Sequence, residues 1–304
     1  MFAHDHKIGY MGRRASQSHL AAQACFPSCS HHSYESFAKV VEAVAEGKVH
    51  FGMLALESLT AGRVQEVHDL LRGLSALSIS IFAEYFSPVV HQLAARPGSR
   101  LGDIVCVISH PQALQQCSNA ICENGWRQEP FSDTASAAKH VSEQSDPGLA
   151  AICSAAAAEL YGLTVLEPAV QDDVVNVTVF LVIGKRDAEH RLHQSPTPPC
   201  MQTTLVVTVA NQTGALHRVF ECFAEHDVNI VRFESYIKAG PTNEGEVLVT
   251  VEGTPEKGKC QRAIAQLNTI SRRLDHLGVY PSADERCLSA DRFRQSIREA
   301  NTSE

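Results

Sequence analysis

The sequence predicts an α/β protein whose first two thirds alternate strand and helix signals and whose last third is a compact βαββαβ unit. Short apolar runs rich in Val, Ile and Leu recur between segments whose apolar residues fall at helical spacing. A polar stretch at residues 185–201, KRDAEHRLHQSPTPPCM, then separates that series from a second one. Its Pro196, Pro198 and Pro199 lack amide donors and bias the chain toward extended structure. Domains are therefore expected at 1–186 and 202–281, joined by a linker at 187–201 and followed by a charged tail at 282–304.

The elements follow in order. Residues 7–11 form a short strand, and after a Gly-Arg-Arg turn residues 18–25 form a helix. Phe37, Val40, Val41 and Val44 share one face of a helix over 36–45. Strands are expected at 49–56, 79–90, 104–109 and 174–183, and helices at 65–74, 112–123, 135–143 and 151–161. Such alternation implies a mainly parallel sheet with helices on its faces. Ligands of those sheets sit beyond the carboxyl ends of strands, where helix N-termini offer unpaired amides. The loops at 12–18, 56–62 and 109–112 all follow strands and can converge on one cleft. In the second series, strands at 203–210, 228–237 and 245–252 alternate with helices at 214–225 and, for the most part, 257–277, and a last strand begins at 278. That order is ferredoxin-like, the arrangement of a small-ligand sensing module.

Composition narrows the function. The 304 residues are 44% apolar and 20% charged, the balance of a globular protein, and a net charge of −8 argues against a general nucleic-acid binder. No run of 18 apolar residues marks a membrane span, and the first residues show no export signal, so a cytoplasmic, membrane-free protein is expected. The ten cysteines lack a paired framework and read as reduced thiols. Cys25, Cys29, His31 and His32 lie close in sequence, but no second ligand pair stands at a structural-site spacing. Neither a metal nor a nucleotide signature is present, and no cofactor is expected.

Several blocks recur in order. Ser109-His110-Pro111-Gln112-Ala113-Leu114 is followed by Gln116-Cys117, then by Thr134-Ala135 with Ala137-Ala138, and by Tyr161-Gly162-Leu163 with Val165-Leu166. Earlier stand Tyr10 and Gly12 with Ser18, and Glu57-Ser58 with Gly62 and Val64. Later come Asn176 and Thr178-Val179-Phe180, then Gly214-Ala215-Leu216, Val228-Asn229-Ile230 and Glu234-Ser235. Together, over residues 7–280, they resemble prephenate dehydratase with a C-terminal ACT regulatory domain. The resemblance implies a two-lobed, periplasmic-binding-protein-like α/β catalytic domain around a cleft. It implies a homo-oligomer paired through ACT domains, and conversion of prephenate, or of arogenate, to phenylpyruvate in phenylalanine biosynthesis. It also implies catalytic roles for Thr178, Glu57 and Gln112, and substrate contacts from Ser18, Ser58, Ser109, Thr134 and Asn176. Gly214, Ala215, Leu216, Asn229, Glu234 and Ser235 would bind phenylalanine or another aromatic amino acid as effector.

The departures fall at ligand positions. The family's Thr-Arg-Phe reads Thr178-Val179-Phe180, its Glu-Asn-Ser reads Glu57-Ser58-Leu59, and the Arg-Pro after Glu-Ser reads Tyr236-Ile237. The substrate that the resemblance implies is a dianion whose ring hydroxyl must leave, so such a site needs a donor toward that oxygen and positive charge toward the carboxylates. Thr178 can be the donor; Val179 cannot be the cation. Arg13 and Arg14, in the loop before the first helix, are the expected replacement. Two other activities fit the same residues: decarboxylation that keeps the ring hydroxyl, and a catalytically silent aromatic-amino-acid sensor.

Overall fold

The computed structural model describes residues 6–173, 175–187, 201–238 and 243–281; most of the expected linker and the whole of the expected tail lie outside them. The first sheet gathers β1 (Lys7–Met11), β2 (Ser30–Tyr34), β3 (Phe51–Ser58), the two-residue β4 (Gly62–Arg63) and β5 (Ile79–Pro88). Around it lie α1 (Gln17–Cys25), α2 (Phe37–Ala45) and α3 (Gln65–Leu71). The second sheet holds β6 (Gln92–Ala95), β7 (Cys106–Ser109), β8 (Arg127–Pro130), β9 (Leu149–Cys153) and β10 (Thr164–Glu167). Its helices are α4 (Pro111–Gln116), α5 (Ser118–Glu123), α6 (Thr134–Glu143) and α7 (Ala155–Leu160). The chain then returns to the first sheet as β11 (Val177–Lys185). Two lobes joined by two crossings result, one between β5 and β6, the other between β10 and β11.

Both sheets are mixed rather than mainly parallel. In the order β2-β1-β3-β11-β5 the first three strands are parallel, whereas β11 runs antiparallel to both neighbours. In β10-β6-β9-β7-β8 only β6 is reversed, running antiparallel to both of its neighbours. The reversed strands β6 and β11 each follow a crossing between lobes, because a strand entering from the other lobe arrives without a covering helix to turn it back; the short β4 simply folds back on β3. Two expected helices are corrected. Residues 149–153 of the alanine-rich segment form β9, fully paired between β6 and β7, and helix starts only after Ser154 caps α7. The helix over 112–123 breaks at Cys117 into α4 and α5.

The C-terminal unit comprises β12 (Met201–Ala210), α8 (Ala215–Ala224), β13 (Ile230–Lys238), β14 (Glu244–Glu252), α9 (Gly258–Ile270) and β15 (Arg273–Pro281). Its antiparallel sheet has the order β13-β14-β12-β15, the ferredoxin-like arrangement. The helix expected to reach 277 ends at Ile270, and residues 273–281 pair with β12 instead. One sheet face, with Leu205, Val207, Val209 and Val249, buries against α8 and α9. The opposite face places Val206, Leu248, Leu277 and Tyr280 in the same core as β3, β5 and β11 of the first lobe. The unit is thus docked on the back of the first lobe rather than tethered beside it.

Candidate active site

A cleft of about 370 Å³ lies between the lobes. From the first lobe it receives Ser16, Gln17 and Ser18 at the start of α1, Ala55 and Ser58 of β3, and Arg63 and Val64. The second lobe contributes His110 and Gln112 at the start of α4, and Asp133 and Thr134 at the start of α6. Val89, His91 and Asn176, at the crossings, close its back. The start of α1 is capped by Ser16, which accepts from the His19 amide, and that of α6 by Asp133, which accepts from the Ser136 amide. Two helix N-termini therefore face one space from opposite lobes, an arrangement that favours anions. Gly12, at φ +93°, turns β1 into the α1 loop in a conformation that side chains rarely adopt.

Strand alternation decides which residues of β3 and β11 see the cleft. The antiparallel register pairs Thr178 with Ser58 and, beyond a bulge, Phe180 with Ala55; all four line the cleft. Val179 pairs with Glu57, and neither does. Val179 is buried in the first lobe's core, while Glu57 turns to the docked unit and accepts from Arg232 Nη2 at 2.6 Å. The catalytic expectation for Glu57 is thereby corrected: its carboxylate serves the interdomain face, because one residue along a strand means the opposite side.

Behind Thr178 lies a closed polar ring. Thr60 Oγ1 donates to Asn176 Oδ1 at 3.0 Å, Asn176 Nδ2 donates to Gln116 Oε1 at 3.1 Å, and Gln116 Nε2 donates back to Thr60 Oγ1. Ser58 Oγ lies 3.2 Å from Thr60 Oγ1, and His91 Nε2 donates to Gln116 Oε1 at 2.8 Å. Burial pushes the His91 pKa down, the Gln116 bond opposing it, so the ring is neutral and carries its proton on Nε2. Each amide orientation follows from its neighbours, which leaves Asn176 fixed next to Thr178.

Of the other expected residues, Ser18, Gln112 and Thr134 line the cleft. Ser109 does not: it is fully buried and donates to the Ile152 carbonyl at 2.6 Å, tying β7 to β9. Arg13 and Arg14 are exposed and lie outside the lining. The lining arginine is Arg63, whose guanidinium is paired with Glu234 of β13. Among the described residues it is the only lining side chain with a permanent positive charge. The blocks quoted above include Gln116 but give it no role, and Thr60, His91 and Arg63 carry no signal at all; long-range contacts alone bring them in.

The expected effector residues scatter. Gly214, at φ +79°, caps α8, with Ala215 buried and Leu216 exposed beside it. Asn229 Nδ2 donates to Glu252 Oε1 at 2.9 Å, Ser235 is exposed, and Glu234 points to the first lobe. Tyr236, where the family pattern has arginine, lies under the Arg72 guanidinium, 4.3 Å from its ring centre. No helix among the described residues is long and apolar enough to cross a membrane.

Comparison with known proteins places this geometry. The prephenate dehydratase family model matches residues 8–188. A bifunctional N-acyl-homoserine lactone acylase/prephenate dehydratase of Komagataeibacter europaeus is 36% identical over 91% of this chain and 96% of its own. A bifunctional chorismate mutase/prephenate dehydratase of Enterobacter agglomerans is 31% identical over 92% of this chain and 72% of its own. Among solved structures, GqqA, described as a novel type of quorum quenching acylase, aligns with a TM-score of 0.82 at 35% identity, over 92% of this chain and 99% of its own. The prephenate dehydratase of Arthrobacter aurescens in complex with L-Phe aligns at 0.81, over 97% of this chain and 98% of its own; its 24% identity speaks for the fold alone. On the family model and these identities, the chain belongs to the prephenate dehydratase family of hydro-lyases.

Proposed function

We propose that the protein converts prephenate, or the related arogenate, to its aromatic product, and that the docked C-terminal unit is an ACT-type sensor of an aromatic amino acid. The observation that carries the reading is Thr178 on the cleft wall, beside Asn176 held by the Gln116–Thr60 ring. In prephenate the bond from ring carbon to carboxylate breaks and releases carbon dioxide. Its electron pair enters the ring, and the opposite carbon–oxygen bond breaks. The departing hydroxide takes one proton and leaves as water, so one proton is consumed per turnover. Negative charge grows on that oxygen, and a hydroxyl aimed at it stabilises the transition state more than the ground state. The N-termini of α1 and α6, with Arg63 at the rim, supply the positive potential for the carboxylates. Phe180, Phe37 and Val89 supply apolar wall for the ring.

Two features support pairing of a second copy through the C-terminal unit. β13 is an edge strand, and it leaves Phe233 and Ile237 51% and 77% exposed. Exposed Leu216 lies on the neighbouring α8, whose Phe220 packs on Phe233 at 5.0 Å.

One assay tests the reading. Purified protein is mixed with prephenate and product is followed by absorbance and mass. Phenylpyruvate supports dehydration; a dihydro keto acid that keeps its hydroxyl shows decarboxylation alone; unchanged prephenate with bound phenylalanine shows a silent sensor. A parallel sample with an N-acyl-homoserine lactone tests the second activity named for the Komagataeibacter relative.

A further inference from the structure

We propose that Arg232 of the docked unit is a positioning residue for the cleft: it holds Glu57, and through Glu57 the end of β3, so that the wall carrying Thr178 and Ser58 is set only while the unit is docked. The proposal rests on the dehydratase reading for its kinetic test and on the fold alone for its structural one.

The β3–β11 register carries the argument. Val179 stands directly opposite Glu57, and residues so paired share a face with Cβ atoms about 4.5–5.5 Å apart. The arginine of the Thr-Arg-Phe pattern would therefore lie against the Glu57 carboxylate, behind the cleft wall. Valine leaves that carboxylate without a cation on β11, and the arginine registered opposite it on β4, Arg63, gives its guanidinium to Glu234 instead. Arg232 fills the need from another domain. Its Nη2 and Nε lie 2.6 and 3.2 Å from Glu57 Oε1, and Nη2 lies 3.1 Å from Glu84 Oε1. Gln202, also of the docked unit, donates to Glu84 Oε2 at 2.6 Å. The Glu84 side chain is fully buried, that of Arg232 11% exposed and that of Glu57 26% exposed, so the guanidinium meets Glu84 away from solvent and Glu57 at the partly shielded edge of the same interface.

The location matters as much as the pair. The register slips between Val179 and Phe180, which leaves Leu56 opposite no residue of β11. Such a bulge twists a strand and re-aims its side chains. Glu57 is the residue at that slip, and Ser58, next along, is hydrogen-bonded into the ring that fixes Asn176. Anchoring Glu57 from behind fixes the point at which β3 turns its hydroxyl to the cleft.

The test is a rescue series on the full-length chain: Arg232→Gln, Arg232→Lys, Glu57→Gln, Arg232→Gln with Glu57→Gln, and Arg232→Gln with Val179→Arg. Prephenate kcat and KM are measured, with hydrogen exchange of the β3 amides as a readout independent of turnover. Arg232→Gln is expected to lower kcat by about ten- to hundredfold with KM changed far less, as for a misplaced catalytic wall. Glu57→Gln should match it, the pair together should lose no more than either alone, and Val179→Arg should recover at least tenfold by returning a guanidinium in cis. Wild-type kcat and unchanged β3 exchange in Arg232→Gln would overturn the proposal, as would losses that add in the double variant. If the native chain leaves prephenate untouched, the dehydratase reading fails. Faster β3 exchange in Arg232→Gln, reversed by Val179→Arg, then still establishes the positioning role, and its absence refutes it.

Discussion

Replacing Gly278 by alanine tests the docking itself. Gly278 lies on β15, whose face packs across β5, and a Cβ there would stand 2.9 Å from the Ile81 amide nitrogen and 3.0 Å from its carbonyl carbon, closer still to the carbonyl oxygen. All three are backbone atoms, so no rotamer change relieves the clash. Carbon contacts settle at about 3.5–4.0 Å, so the carbonyl carbon alone asks the two backbones to part by roughly 0.5–1 Å, and the nearer carbonyl oxygen asks for about 1 Å or more. Overpacking of this kind costs about 1–3 kcal/mol. The same displacement carried across the sheet would take the 2.6 Å Arg232–Glu57 contact out of hydrogen-bond range. Thermal melts and prephenate turnover are the assays, with Gly245→Ala as control, since its Cβ meets Tyr236 and Val209 atoms only at 3.8 Å. Gly278→Ala should melt lower and turn over more slowly than both the native chain and the control. If it melts within a degree of them at full activity, the packing of β15 on β5 is not what holds the unit in place.

Four further outcomes are expected. Thr178→Val, which keeps the shape and removes the hydroxyl, should lower kcat by about 10²–10³ with little change in melting, and Thr178→Ser should retain most activity. Arg63→Gln should raise KM by about tenfold, the scale of a lost charged hydrogen bond; Glu234→Gln, which frees Arg63, should lower KM, and equal effects of the same sign would contradict that account. Burial lowers the pKa values of His19, His68, His91 and His276 below the ordinary 6.5. The unfolded chain therefore binds more protons below about pH 6.5, and stability should fall as pH drops from there through the lowered values, measurable as a decreasing urea midpoint. The proposed pairing through β13 predicts that Phe233→Asp with Ile237→Asp gives a smaller species in light scattering than the native chain; an unchanged mass would remove that edge from any interface.

Much of the frame was legible because periodicity reports burial. Phe37, Val40, Val41 and Val44 name the buried face of α2 from sequence, and all four are buried. β2 (SHHSY) and β8 (RQEP) leave no signal in sequence because edge strands exposed along most of their length show no apolar alternation. β9 reads as helix in sequence because alanines pack equally well in either element, and only its two sheet neighbours make it a strand. In the site, Ser18, Ser58, Gln112, Thr134, Asn176 and Thr178 were legible as motif positions, and all six line the cleft. A motif names residues but not the side on which they emerge, and Glu57 of the motif emerges toward the docked unit rather than the cleft. Arg63 and Arg232 belong to neither pattern, since what gives each its place is an ion pair spanning about 170 residues of sequence.

The same alternation sets the consequence of valine at position 179. If position 179 faced the cleft, valine would strip the substrate of a carboxylate partner, and a replacement cation would have to enter from a loop. Thr178 and Phe180 face the cleft, and Val179 between them faces the core. Exchanging a guanidinium for an isopropyl group there leaves the wall's lining intact and alters only what stands behind it. Its cost is felt by Glu57, which Arg232 meets across the domain boundary. A chain built this way keeps its cleft lining while making the geometry of that cleft depend more heavily on the docked unit. Any ligand that shifts β13 then acts on Glu57 directly, and through the adjacent Ser58 on the hydrogen-bonded ring beside Thr178.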